Sequence, residues 1–570
     1  MFAAALVALL GVAPLAQCSA PNGDDRYVTL AKQYFADGFR NNPTLATDAG
    51  LHDYDAQLGD YSAAHFSREL ASDNDYLTKL AAIDGSALSP EVALDAKLLE
   101  YQLHDDLLLT GTLAQWRHNP DLYTGLASDA IFKLMSRNYA PIETRARFAI
   151  AREEQIPAML RQARANITTV DAVTQKISAD DARGSVAFFT ASVPQGFAGV
   201  HDPALVRQLS AANAGAAAAM KSYADWIVHL KPSGTYAIGA DAYRKRLLYE
   251  DGLEMPVTDY LAVGQAALNE TRASFIATAK QIDPKATPLA VYLRIARATP
   301  PPSQLRAVAQ RDLLRLNAFI IAKHYVSLPA GMNVKVIDTP QFQRETTTAA
   351  EDSAGPLETN DTQTYYYVTP VDPKWTAQQT ADYLAQFNNY EFPIISAHEV
   401  YPGHATNFAI DRRENLSLTR KLTGSSEYAE GWAHYGEQAM VDDGWGNGDP
   451  RVRLAQLEEA LLRNCRYIVG VKLHTQGISI KQAEHIFTDQ CFQPQQVAVE
   501  ETLRGTQDPM YGYYTLGKLM ILKLRDDYKK KLGADFTLEK FHDAFLAHGD
   551  PPIPLLRPLL LGSADDGKPL

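Results

Sequence analysis

The chain has 570 residues, of which 46% are hydrophobic and 21% charged, and its formal net charge is −13. This is the composition of a globular protein with room for about two to four domain-sized units. A negative balance with no basic patch argues against nucleic acid as a partner.

Residues 1–20, MFAAALVALLGVAPLAQCSA, form an apolar run that ends in small residues and is too short to span a membrane, so they read as an export signal. No Lys or Arg precedes the run. LAQC at Leu15 to Cys18 follows a bacterial lipoprotein processing site except at Gln17, where a small residue is usual. Cleavage after Ala20 with loss of Cys18 is the alternative. The mature chain is expected in the periplasm or cell envelope, with no membrane contact other than a lipid anchor where Cys18 is kept and lipidated.

From about residue 25 to 325, apolar residues recur at three and four, as in ALDAKLLEYQLHDDLLLTGTLAQW and TRARFAIAREEQIPAMLRQARANI. This periodicity predicts successive amphipathic helices. ALVRQLSAANAGAAAAMKSYADWIVHL is alanine-rich, which favours helix and permits close packing. No fixed-period repeat is visible, so a solenoid is not expected. Pro300, Pro301 and Pro302 punctuate the series. Residues 329–363 lose the helical pattern and are rich in Thr, Ser, Asp and Pro, which predicts a lobe boundary there, with an N-terminal helical lobe over 21–355 and a second lobe over 356–570. TYYYVTP at 364–370 is aromatic and β-branched without charge, and predicts a strand.

The next stretch carries the chemistry. HEVYPGH holds His398, Glu399 and His404, and EGWAHYGE holds Glu430 and Glu437. Two histidines, a glutamate beside the first and another 26 residues past the second are the parts of a catalytic zinc site with an open position. The usual zinc helix spaces its histidines i to i+4, about 40° apart, whereas i to i+6 on a regular helix separates them by about 120°. Pro402 removes an amide donor and clashes with the carbonyl of His398, and Gly403 tolerates unusual dihedrals. A bulge of two residues at Pro402 and Gly403 is therefore predicted to return His404 to the metal side. Glu437 lies two turns from Glu430 on the same face, as a group supporting the ligands or as a surface glutamate. Trp432 and Tyr435 read as packing residues.

Helices resume in RVRLAQLEEALLRNCRYIVGVKLHTQ, KQAEHIFTDQ and PMYGYYTLGKLMILKLRDDY. The last contains Tyr511, Tyr513 and Tyr514 ahead of Lys518 and Arg525. Arg525 suits bidentate binding of a substrate carboxylate, with a solvated helix-end arginine as the alternative. Gly512 to Leu519 has the glycine and lysine spacing of a phosphate loop but Leu519 where a hydroxyl is needed, and no strand precedes it, which excludes nucleotide binding. No G-x-S-x-G turn occurs, and the cysteines lack the features of a catalytic thiol. With Cys18 removed or lipidated, Cys465 and Cys491 are the remaining pair in an oxidising compartment, and a disulfide between them is expected.

HEVYPGH followed by EGWAHYGE resembles the bacterial family known as domain of unknown function 885, related to gluzincin metallopeptidases such as thimet oligopeptidase and angiotensin-converting enzyme. RNNPTLATDAGLHDYDAQLGDYS, TYYYVTP and FHDAFLAHGDPPIPLL are similar to further blocks of that family. The resemblance implies that His398, His404 and Glu430 bind zinc and that Glu399 is the general base. It also implies that the strand with Tyr366 lines the cleft and bonds the substrate backbone. Tyr514, Gly517 and Lys518 match the family's Y-x-x-G-K block, which makes Tyr514 the candidate donor to a developing oxyanion. Tyr511 and Arg525 join Tyr366 as candidate substrate-binding residues. The family usually has glutamine where Asn407 stands.

The expected protein is mainly α, two-lobed and metallopeptidase-like, with a small β element beside a distorted zinc-binding helix. The expected reaction is zinc-dependent hydrolysis of oligopeptides, in which zinc acidifies water and polarises the carbonyl while Glu399 carries the proton. A zinc hydrolase of a non-peptide amide or ester, and a catalytically silent peptide-binding lipoprotein, are the rival readings.

Overall fold

A computed structural model describes residues 22–340, 344 and 348–570. The expected export signal and Cys18 lie outside the described residues. Helices dominate, and the described strands are three short ones in a single sheet.

Local chemistry sets many helix starts. Asn22 accepts from Asp25 N at 2.8 Å at the head of helix Gly23–Asn41, and Asp202 caps the alanine-rich helix Pro203–Val228, in each case satisfying an amide that has no partner within the helix. Ala212, Ala216, Ala217 and Ala224 of that long helix are buried, and it packs against helix Ala172–Ala187.

Three apolar cores follow one another. The first gathers Tyr27, Phe35, Leu99 and Leu103, the second runs from Leu58 to Ile227, and the third from Tyr243 to Leu561. The chain thus passes from the second core to the third between Ile227 and Tyr243. The boundary expected within 329–363 is not a break in packing. Strand β1 (Val334–Asp338) pairs in parallel with β3 (Thr364–Val368), so a division at 355 would cut the sheet. The polar stretch between them reads as a linker because it holds β2 (Ala349–Asp352), a strand with no fully buried residue.

Strand order is β1-β3-β2, with Glu351 opposite Tyr366. TYYYV is therefore the central strand, with both edges already paired. That corrects the expectation that it bonds a substrate backbone, because a peptide can add only at an open edge.

Helix α1 (Phe392–Glu399) is buried nearly all round, and packs between helix Leu305–Lys323 and helix Ser426–Asp442. Helix α2 (His404–Arg413) follows it, then α3 (Ser426–Asp442), α4 (Pro450–Thr475), α5 (Gln495–Gln507) and α6 (Tyr513–Leu532). α3 and α6 run against each other at two glycines. A β-carbon on Gly517 would lie 1.8 Å from the Glu427 carbonyl oxygen, and one on Gly431 would lie 2.5 Å from the Gly517 Cα. This approach brings the Tyr514 end of α6 alongside Glu430. Cys465 of α4 is disulfide-bonded to Cys491, with Cα atoms 6.3 Å apart.

Gly517→Ala tests that contact. Helix propensity alone would make the change stabilising by about 1 kcal/mol. Because the obstacle is backbone, the variant should instead lose at least the ~1–3 kcal/mol typical of overpacking, seen as a lower denaturant midpoint at unchanged slope.

Candidate metal centre

α1 ends at Glu399. Val400 leaves helical geometry (φ −127°, ψ −71°), a cis Tyr401–Pro402 peptide follows, and the helix restarts at His404. The sequence predicted a bulge inside one helix, whereas the chain makes two helices joined by a four-residue corner. The corner is held by Gly403 N on Ala397 O at 2.9 Å, Thr406 Oγ1 on Val400 O at 2.8 Å and Trp432 Nε1 on Pro402 O at 2.9 Å. A β-carbon on Gly403 would sit 1.7 Å from the His398 carbonyl oxygen, so the corner admits only glycine there.

The corner brings the two imidazoles together, with ring centroids 4.8 Å apart and planes at 89°. Glu430, from α3, puts Oε2 3.2 Å from His398 Nε2 and 3.4 Å from His404 Nε2. The three side chains offer one nitrogen or oxygen each within 4.8 Å of one another, a donor set able to hold a divalent metal ion. The Glu430 oxygen is buried, with the two imidazole nitrogens as its polar neighbours.

Behind this group stands Glu437, fully buried. Its Oε1 accepts from His398 Nδ1 at 2.7 Å, its Oε2 lies 3.0 Å from His434 Nδ1, and Arg463 approaches to 3.2 Å. Burial pushes this carboxyl up, but Arg463, His434 and the bonds from both histidines together hold it well below the usual range. Burial likewise raises Glu430, and the facing His404 and His398 outweigh it. Burial disfavours a charged His398, yet its bonds to Glu430 and Glu437 raise it to about 10. His434 is pushed down to about 3 by burial and then by the charge of Lys518, so it serves as a neutral donor. His434 and Arg463 were not picked from sequence. His434 sits within EGWAHYGE three residues before Glu437, which was the available signal, whereas Arg463 had none.

Glu399 accepts from the Glu351 amide at 2.9 Å, so the outer edge of β2 faces the candidate base. The Glu351 carboxyl is bonded by the Ser353 hydroxyl and is raised to about 8, chiefly by burial. Glu351 also escaped sequence reasoning, because the pairing of β2 with β3 alone puts it here.

Tyr514 is buried, with its ring 6.3 Å from that of His398 and flanked by the guanidiniums of Arg463 and Arg466 at 5.3 and 5.2 Å. Arg504 Nη2 of α5 donates to both the Tyr513 and Tyr514 hydroxyls at 3.4 Å. Three other candidates stay outside the site. Tyr366 is fully buried with its hydroxyl 3.2 Å from Ser396 Oγ, where it steadies α1. Tyr511 is fully buried and donates to Glu501 O at 3.2 Å. Arg525, three turns beyond Tyr514, lies over Tyr435 and beside Asp526.

A mainly helical fold with a small sheet and a buried two-histidine, one-glutamate cluster thus defines the class of protein. The chain belongs to the family described as "Bacterial protein of unknown function (DUF885)", whose model matches residues 43–560. Its fold is shared with a candidate lipoprotein of unknown function from Shewanella oneidensis, at 23% identity and TM-score 0.80 over 94% of this chain and 99% of that one. A candidate lipoprotein from Colwellia psychrerythraea is similar at 17% identity and TM-score 0.78, over 96% and 100%. No curated protein matches.

The raised His398 gives a pH prediction. Without metal, His398 keeps its proton up to pH about 10, so at pH 7 an entering ion must expel it. Affinity for a divalent metal should then rise with pH by about tenfold per unit for each proton expelled, with about one to two protons released per ion. Calorimetry of the metal-free protein in buffers of different ionisation heat measures that number, and zero release would contradict the assigned donors.

Proposed function

We propose that the protein is an exported zinc peptidase, related to the gluzincins, that hydrolyses oligopeptides at the His398, His404 and Glu430 cluster. The observation that carries this reading is the spacing of the donors. With bonds of about 2.0–2.2 Å, neighbouring ligands of a tetrahedral zinc stand about 3.3–3.5 Å apart, and the donor atoms here are 3.2 and 3.4 Å apart. The choice of zinc over other divalent ions follows from the nitrogen-rich donor set and from His398 being oriented by a carboxylate on its second nitrogen.

When bound, the ion supplies Lewis-acid chemistry, acidifying water and polarising a carbonyl. Glu399 does the proton work: it takes a proton from the attacking water and passes it to the leaving nitrogen. The Glu351 amide holds its carboxylate in one orientation. The Tyr514 hydroxyl accepts from Arg504 and so keeps its own hydrogen for an oxyanion. The outer edge of β2 offers backbone groups to an extended peptide beside the base. Export agrees with the apolar leader, with a disulfide at Cys465 and Cys491, and with the naming of the two structural relatives as candidate lipoproteins.

Glu399→Gln should retain zinc and substrate affinity and lose about 10²- to 10⁴-fold in kcat. Tyr514→Phe, with zinc retained, should lose about 10²- to 10³-fold. His404→Ala and Glu430→Ala should lose the metal while staying folded. Mass spectrometry of a digested peptide mixture together with metal analysis checks all four. Hydrolysis by Glu399→Gln at the parent rate would overturn the mechanism, and an untouched peptide mixture beside cleaved simple esters would favour the non-peptide reading.

A further inference from the structure

The wall of the site beyond His404 holds two acids, Asp411 and Asp550, with no lysine or arginine ion pair among the described residues. α2 places Asn407 and Asp411 one turn apart on the same face, and Asp550 reaches them from the segment before helix Ile553–Leu561. Asn407 is fully buried and donates to Asp550 Oδ1 at 2.8 Å. Its own Oδ1 has no donor, and the buried Asp411 Oδ1 has none either. Asp550 stands in a stretch where the sequence resembles the family, whereas Asn407 replaces the glutamine usual there, and neither has a part in the hydrolytic step.

Asp411 and Asp550 line a cavity of about 450 Å³ together with Glu351, Asp352 and Phe408. The cavity adjoins the metal centre, since the Phe408 ring stacks on that of His404 with centroids 6.0 Å apart and planes at 11°. Arg412, Arg420 and Lys421 also line it. Arg412 is engaged by the carbonyls of Glu358, Ala354 and Gly355, and Arg420 by Glu91 and Asp95. The charges that act on Asp411 are those of Asp550 and Glu414, both negative. Buried carboxyls so placed keep a proton until a cation arrives. Burial and the facing acid push Asp411 well above the ordinary range, and burial raises Asp550 to about 6.

We propose that this cavity is a subsite for a cationic group of the substrate, an ammonium or a guanidinium, held by Asp411 and Asp550 with Asn407 fixing the second. The inference rests on the peptidase reading and deepens it, directing hydrolysis to peptides that carry such a group near the scissile bond. The aromatic face of Phe408 suits the apolar stem or the charge of that group. Two sources share this chemistry: a lysine or arginine side chain, and the free α-amine of a short peptide.

The test uses pentapeptides that differ only in lysine against norleucine at each position, and in a free against an acetylated amino terminus. Turnover is measured with the parent enzyme, and binding by calorimetry with zinc-loaded Glu399→Gln. One lysine position, or the free amine, should raise kcat/KM and affinity about 10- to 100-fold, the range of a charge-assisted hydrogen bond. Asp411→Asn and Asp550→Asn should each abolish that preference while leaving the uncharged, acetylated peptide within about threefold. A preference that follows lysine identifies side-chain recognition, and one that follows the free amine identifies amino-terminal capture. Equal turnover of charged and uncharged peptides by the parent enzyme would overturn the subsite and leave the peptidase reading intact. Charge-dependent binding without turnover would do the reverse, and absence of both would overturn both.

Discussion

The burial of Glu437 is the constraint on which the His398, His404 and Glu430 cluster depends. Taking a carboxylate fully out of water costs several kcal/mol unless opposite charge and hydrogen bonds replace the solvent. Here the replacements come from three helices: His398 of α1, His434 of α3 itself and Arg463 of α4. None of the three helices can shift its register without stranding the charge. The same contact selects the histidine tautomer. With Nδ1–H committed to Glu437, His398 turns Nε2 toward Glu430, the orientation a ligand needs.

The second constraint is steric and lies in the corner between α1 and α2. A spacing of six residues would send the histidines to different sides of one helix, and the chain solves this by ending the helix. The solution requires the backbone of residue 403 to press against the carbonyl of His398, at a distance where no β-carbon fits. Trp432, buried in α3, clamps the corner by donating to Pro402 O. EGWAHYGE thus supplies a candidate ligand in Glu430, a clamp in Trp432, a neutral donor in His434 and the buried anion in Glu437, all from one helix with few solvent-facing positions.

What the sequence made legible follows from how local each signal is. The three clustered side chains come from two short motifs, and the helical periodicity of residues 25 to 325 is a local pattern, so both could be read directly. The need for distortion at Pro402 and Gly403 was legible from helix geometry, though its form, a corner and not a bulge, depends on packing against α3. Glu351 was hidden because its strand is short and polar, and only pairing with β3 carries it to Glu399. Tyr366 and Tyr511 were misread because a buried tyrosine whose hydroxyl finds a neighbouring oxygen has the same sequence signature as one facing a cleft. Arg525 shares a helix with Tyr514, but eleven residues of rise carry it well past the site.

On the peptidase reading, acids with no ion-pair partner among the described residues on one side of the site, and Arg504 on the other, bear on how a peptide would lie in it. On the side of Glu399 stand Glu351, Asp411 and Asp550, none of them ion-paired to the Arg412, Arg420 and Lys421 that share their cavity. On the side of Tyr514 stand Arg463, Arg466 and Arg504. Arg463 is offset by Glu437 and Glu459, and Arg466 by Glu501, whereas Arg504 has no carboxylate partner among the described residues. Its guanidinium is turned instead to the Tyr513 and Tyr514 oxygens. Tyr513 passes its hydrogen to Asp508 at 3.2 Å, while that of Tyr514 has no acceptor among the described residues. A phenol that receives a hydrogen bond from a cation and has its own hydrogen free is arranged to donate where negative charge develops. A peptide in this field would lie with its carbonyl oxygen and carboxyl end toward α6 and its amino end toward α2, the direction in which the charges of substrate and site agree.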